Sequence, residues 1–172
     1  MPPDQLTTTV LVSACKVFDE CMTKIEHCLD QLSEEQVWWR PREEMNSIGN
    51  LLLHLSGNVK QWVVCGLGTA EDNRNRPAEF SQRGSISKAD LLTQLAHVVD
   101  EAKSVLAQRT ADEMLAGRRI QGFEVTGWEA LFDSIPHFKG HTQEIISLTR
   151  QQLGDAYRVH WQPQTPEEGA GP

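Results

Sequence analysis

Apolar residues recur at every third or fourth position along four long stretches of this chain, and that period commits it to helices packed on helices. The first stretch carries Leu6, Val10, Ala14, Val17, Cys21, Ile25, Cys28 and Leu32, one stripe over residues 5–32. The second opens at Ser47, a helix-capping residue, and carries Ile48, Leu51, Leu52, Leu55, Val59, Trp62 and Val63 before Gly66 and Gly68. The third starts at Ser87 and buries Leu91, Leu92, Leu95, Val98, Val99, Ala102, Val105 and Leu106. The fourth is capped by Thr126-Gly127-Trp128-Glu129 and runs to about Leu153, with Pro136 inside it predicting a kink. Ser33-Glu34-Glu35-Gln36 and Thr110-Ala111-Asp112-Glu113 are capping boxes that start two short turns of helix. No segment reads as a convincing strand, so the fold class is all-α, a four-helix bundle.

The connections are less regular. Residues Thr69–Ser85, TAEDNRNRPAEFSQRGS, show neither a helical nor a strand period and read as a long polar loop. A loop of this length is either functional or a plain surface linker, and both readings stand. Joining the second and third helices by so long a segment means that the topology need not be simple up-and-down. Arg118–Val125 reads as irregular or extended. The bundle accounts for residues 1–154, and residues 155–172, ending QPQTPEEGAGP, read as a poorly ordered tail.

Charge narrows the function classes. With 172 residues and a formal net charge of −8, the surface repels phosphate backbones, so no nucleic-acid partner is expected. No apolar run approaches the ~20 residues of a membrane helix, so no membrane partner is expected either. The first ten residues, MPPDQLTTTV, have no basic region or apolar core of a leader. A cytoplasmic protein is the expectation. Cys15, Cys21, Cys28 and Cys65 fit it as small apolar residues, since three share one helix and no Cys-x-x-Cys occurs.

The chemistry-bearing residues are histidines. His137 and His141 lie four apart, one turn on one face of the fourth helix, and such a pair can hold two adjacent positions on one metal ion. Alone the signal is weak, because six histidines in 172 residues give about 0.2 such pairs by chance. His54 sits in LLLHL and is either a core histidine satisfied by its neighbours or a third ligand. Asn50, His54, Asn58 and Gln61 form a polar line beside the leucines, suited to a pocket wall or to water. Glu144 shares the face of His137 and His141, about 20° from residue 137 at 100° per residue. It is a ligand, an orienting hydrogen-bond acceptor, a candidate catalytic base, or a solvated glutamate. Arg74, Arg76 and Arg83 are candidate cations for an acidic substrate group if the long connection reaches the same mouth.

Three segments, NSIGNLLLHLSGNVKQW, DNRNRPAEFSQRG and HFKGHTQEII, in that order, resemble the DinB/YfiT-like superfamily of metalloenzymes, and more narrowly an uncharacterised bacterial branch of it. The resemblance covers about residues 5–153. It implies a four-helix bundle with an unusual crossover. It implies one divalent ion, Ni2+ or Zn2+, on one histidine of the second helix and two of the fourth, at positions matching His54, His137 and His141. Homodimers are common in that family. Two departures stand out: Glu144 occupies a place where relatives often have Gln, and Pro136 directly precedes the first histidine of the pair.

The resemblance further implies a metal-dependent enzyme acting on a small molecule. S-transfer from a low-molecular-weight thiol to a small electrophile is the reaction it favours. The alternatives are a metal-dependent hydrolase and a non-catalytic metal-binding bundle.

Overall fold

The computed structural model describes residues 4–161. Four long helices make up its body: α1 (Gln5–Leu29), α3 (Ile48–Val59), α5 (Lys88–Leu106) and α7 (Gly127–Leu153). Between them lie the short helices α2 (Glu34–Trp38), α4 (Arg76–Ser81) and α6 (Ala111–Leu115), and one hairpin, β1 (Gly117–Ile120) with β2 (Phe123–Thr126). Side chains close the helix starts as the capping sequences require. Ser47 accepts from the Asn50 amide, Ser87 from Asp90 and Thr126 from Glu129.

The packing order of the long helices differs from their chain order. α1 packs chiefly on α7 and α5, and α3 packs chiefly on α5 and α7. Around the bundle the order is therefore α1, α5, α3, α7, which puts α1 diagonal to α3 and α5 diagonal to α7. The chain crosses the bundle twice, through residues 30–47 and 107–126. The longer connection between α3 and α5 joins adjacent helices, so its length is free to fold over one end of the bundle.

The core runs the length of the four helices, with Phe18, Ile25, Leu51, Leu55, Leu95, Phe138 and Ile145 wholly buried. Phe18 of α1 meets Phe138 of α7 edge to face, with ring centroids 5.1 Å apart. The stripe of α1 buries Ala14, Cys21, Ile25, Cys28 and Leu32 as its sequence suggests and departs from it only in the first half of the helix. Leu11 and Phe18 are buried, whereas Leu6 is 70% exposed and Val17 only half-buried. α7 continues unbroken through Pro136, whose missing N–H leaves the carbonyl one turn earlier without its usual partner.

Two connections are more ordered than their composition suggests. The segment read as a loop over Thr69–Ser85 contains α4, capped by Asn75 and started by Arg76-Pro77. The segment read as irregular over Arg118–Val125 is largely the hairpin, closed by Gln121 (φ 52°) and Gly122 (φ 88°) in the two-residue turn that matches strand twist. Past α7 the described chain folds back on α1. The Arg158 carbonyl lies 2.6 Å from His27 Nε2, and the Arg158 amide donates to Gln31 Oε1 at 2.7 Å. The rest of the expected tail, residues 162–172, lies outside the described residues.

Candidate metal centre

His54 stands in the second turn of α3, facing α7, and is 5% exposed. His137 and His141 face it from successive turns of α7. The three rings form a compact triangle, with centroids 5.0, 5.2 and 4.6 Å apart. One nitrogen from each lies within 4.8 Å of the others, and among the described residues no fourth histidine, cysteine or carboxylate joins the set. His54 Nε2 and His137 Nε2 are 3.1 Å apart. Two nitrogens each ~2.0–2.1 Å from one tetrahedral ion stand roughly 3.3 Å apart, so this spacing fits a shared ion.

The outer nitrogens set the tautomers. His54 Nδ1 donates to Glu79 Oε2 at 2.9 Å, and His141 Nδ1 donates to Glu144 Oε2 at 2.8 Å. Each carboxylate thereby holds the proton on Nδ1 and leaves the Nε2 lone pair aimed inward, the arrangement a ligating imidazole needs. His137 has no such partner, and its Nδ1 is buried without a hydrogen bond. Burial, reinforced by His141, His54, Arg74 and Arg76 nearby, pushes the His137 imidazolium down to about 4. It is neutral at pH 7, the form that binds metal.

Glu79 is a residue of this candidate site that the sequence does not point to. It comes from α4, is buried, and accepts from Arg74 Nε at 2.7 Å and Arg74 Nη2 at 2.9 Å as well as from His54. Burial alone would raise its carboxyl, but the hydrogen bonds of Arg74 and His54 outweigh that and hold it below the ordinary range. Arg74 is fixed in turn by Gln61 Oε1 at 2.9 Å. Gly57 permits this packing, because a Cβ there would collide with the Glu79 carboxylate. A signal for α4 was present in the sequence: Asn75 followed by Arg-Pro is a helix start.

The other candidate residues divide. Asn58, Arg74 and Arg76 line a cavity of about 590 Å³ whose wall includes His54 and His137. The tip of the hairpin and the first turns of α7 complete that wall through Gln121, Phe123 and Asp133. A π-helical turn over Lys60–Cys65 ends α3 and brings Trp62 to the same wall, where its indole donates to Gln121 Oε1 at 3.1 Å. Asn50 and Arg83 are not brought there. Asn50 is wholly buried as a structural cap, bonded to Ser47, Arg40 and the Glu79 carbonyl. Arg83 is spent on the carbonyls of Phe80 and Gln82.

Comparison with known proteins gives the chain a family and a fold. Residues 5–164 match the family described as protein of unknown function (DUF1572), and the chain belongs to it. No curated protein matches the chain. Among solved structures, a conserved protein from Enterococcus faecalis superposes with a TM-score of 0.70 at 18% identity, covering 84% of this chain and 98% of its own. A DinB-like protein from Bacillus cereus gives a TM-score of 0.64 at 15% identity over 83% of this chain and 90% of its own. A DinB-like protein from Bacillus subtilis gives 0.58 at 17% identity over 81% and 92%. The fold is therefore the DinB-like helical bundle.

Proposed function

We propose that this member of the DUF1572 family is a divalent-metal-dependent enzyme acting on a small molecule bound in the cavity beside His54 and His137. The observation that carries it is the inward-facing histidine triad, with two members held by carboxylates, of which His54 and His137 stand on the wall of an open cavity. The donor set is chemically right for one Ni2+ or Zn2+, since neutral imidazoles suit both. Structural zinc sites are closed by four protein ligands, and three ligands beside a cavity leave room for a reacting group. When bound, such an ion lowers the pKa of a thiol or water brought to it.

The residues around it have separable tasks. His54, His137 and His141 hold the ion. Glu79 and Glu144 fix the Nδ1 protons and the ring orientations. Arg74 keeps Glu79 ionised and in place. Arg76 faces the cavity and is the cation available to an acidic substrate group. S-transfer from a low-molecular-weight thiol to a small electrophile is the reaction we favour. The protein works in the cytoplasm, where its four free cysteines stay reduced, and it works as a homodimer.

Metal analysis of protein purified without an affinity tag tests this reading. We expect about one nickel or zinc per chain, lost in His141→Ala. The loaded protein should then consume a thiol in the presence of an alkyl halide or epoxide. Cleavage of esters or amides without a thiol would show a hydrolase instead. A chain that binds neither nickel nor zinc after equilibration with either would overturn the proposal. A solution mass of 19.4 kDa instead of twice that would remove the dimer.

A further inference from the structure

We propose that the cavity takes a zwitterion: a small molecule carrying an ammonium and a carboxylate on an apolar frame, of the size of an amino acid or dipeptide. This rests on the metal-enzyme reading only in placing the reacting group over the histidines.

The inference comes from which charges on the wall are already committed. Arg74 is consumed by Glu79 and Gln61. Glu129 caps α7, accepting from the Thr126 amide at 2.7 Å and its hydroxyl at 2.8 Å. Glu124 lies 3.8 Å from Arg119. Two charged groups of the wall remain uncommitted among the described residues. Arg76 is exposed, its guanidinium held over the Phe80 ring at 4.9 Å, and it pairs with no carboxylate. Asp133 is exposed on α7, one turn before His137, and makes no hydrogen bond or ion pair.

These two do not bridge to each other across the cavity, so each is available to a ligand. A guanidinium offers a fork to a carboxylate, and an aspartate accepts from an ammonium. Trp62 and Phe123, with ring centroids 6.4 Å apart, supply apolar faces beside them. The net charge of −8 also disfavours a purely anionic ligand, whereas a zwitterion carries no net charge into that field.

The test uses glycyl-L-phenylalanine on the full chain stripped of metal, by calorimetry, against its N-acetyl, C-amide and doubly capped forms. The zwitterion should bind at least about tenfold more tightly than either singly capped form. Arg76→Ala should lower the free dipeptide to the affinity of its C-amide and leave the C-amide unchanged. Asp133→Asn should lower it to the affinity of the N-acetyl form and leave that form unchanged. Both side chains are exposed, so neither change disturbs the core. Equal binding of free and capped forms, no binding of the free dipeptide at millimolar concentration, or an equal loss for all four probes in the variants would overturn the proposal. Metal content measured on the same preparations reports on the triad separately: a chain that discriminates the probes but binds no metal keeps this inference and loses the metal-enzyme reading.

Discussion

Glu79 and Glu144 hold the outer nitrogens of two of the three histidines, and their removal should be felt at the ion without destroying its site. Glu79→Gln and Glu144→Gln should each lower metal affinity by about 10–100-fold, because glutamine still accepts from Nδ1 but raises the basicity of the imidazole less. His54→Ala or His141→Ala should abolish binding. Competition with a chromophoric chelator reads the difference, and a Glu144→Gln variant as metal-free as His141→Ala would make Glu144 a ligand. Protons act on the same residues. In the metal-free protein His137 stays neutral down to about 4, against an ordinary value of 6.5. The unfolded chain therefore takes up a proton between those values that the folded chain refuses, and stability falls as pH drops from 6.5 toward 4. Glu79, held below its ordinary 4.5, adds a further loss beneath that pH. Urea midpoints of the metal-free protein across pH 4–7 should show the first phase, and His137→Gln should flatten it. The histidine pair and Glu144 were legible in the sequence because all three lie on one helix, where spacing fixes direction. Glu79 was not, because it is brought to His54 by tertiary packing between segments 25 residues apart.

At the scale of the element, α4 and the hairpin turn two connections into walls of the site. Helix periodicity found the four long helices because each buries a wide apolar face. It missed α4, whose six residues bury only Glu79, and a polar buried residue leaves no apolar period. It also missed the hairpin, whose four-residue strands alternate poorly and leave Phe123 60% exposed. Gly57 is where α3 accepts α4. Gly57→Ala should drive the Glu79 carboxylate off His54 and reproduce the loss of metal affinity expected of Glu79→Gln, while raising the helix propensity of α3. Unchanged affinity in Gly57→Ala would mean that α4 can shift without cost to the site. The capping box of α7 matters for the bundle more than for the ion. Thr126→Ala should cost about 1 kcal/mol of stability, read by denaturant unfolding.

For the molecule as a whole, the core and the site share the helix pair α3 and α7, so stability and metal binding are linked. Saturating the triad at 100 times its dissociation constant should stabilise the fold by about 2.7 kcal/mol, read as a rise in melting temperature that a chelator reverses. Phe138→Ala, which empties the wholly buried contact with Phe18, should cost about 3–5 kcal/mol. The packing order around the bundle has a further consequence for the living cell. Of the four described long helices α1 is made before the others, yet its main neighbour α7 is made after them. Until then the apolar face of α1 has only α5 to cover it, and the nascent chain carries open hydrophobic surface. Closing α1 on α7 joins segments more than a hundred residues apart, which slows the final step. The docking that closes the apolar face of α1 thus also fixes the helix that carries His137 and His141 against the bundle, so an ion arriving earlier would find the three imidazoles apart.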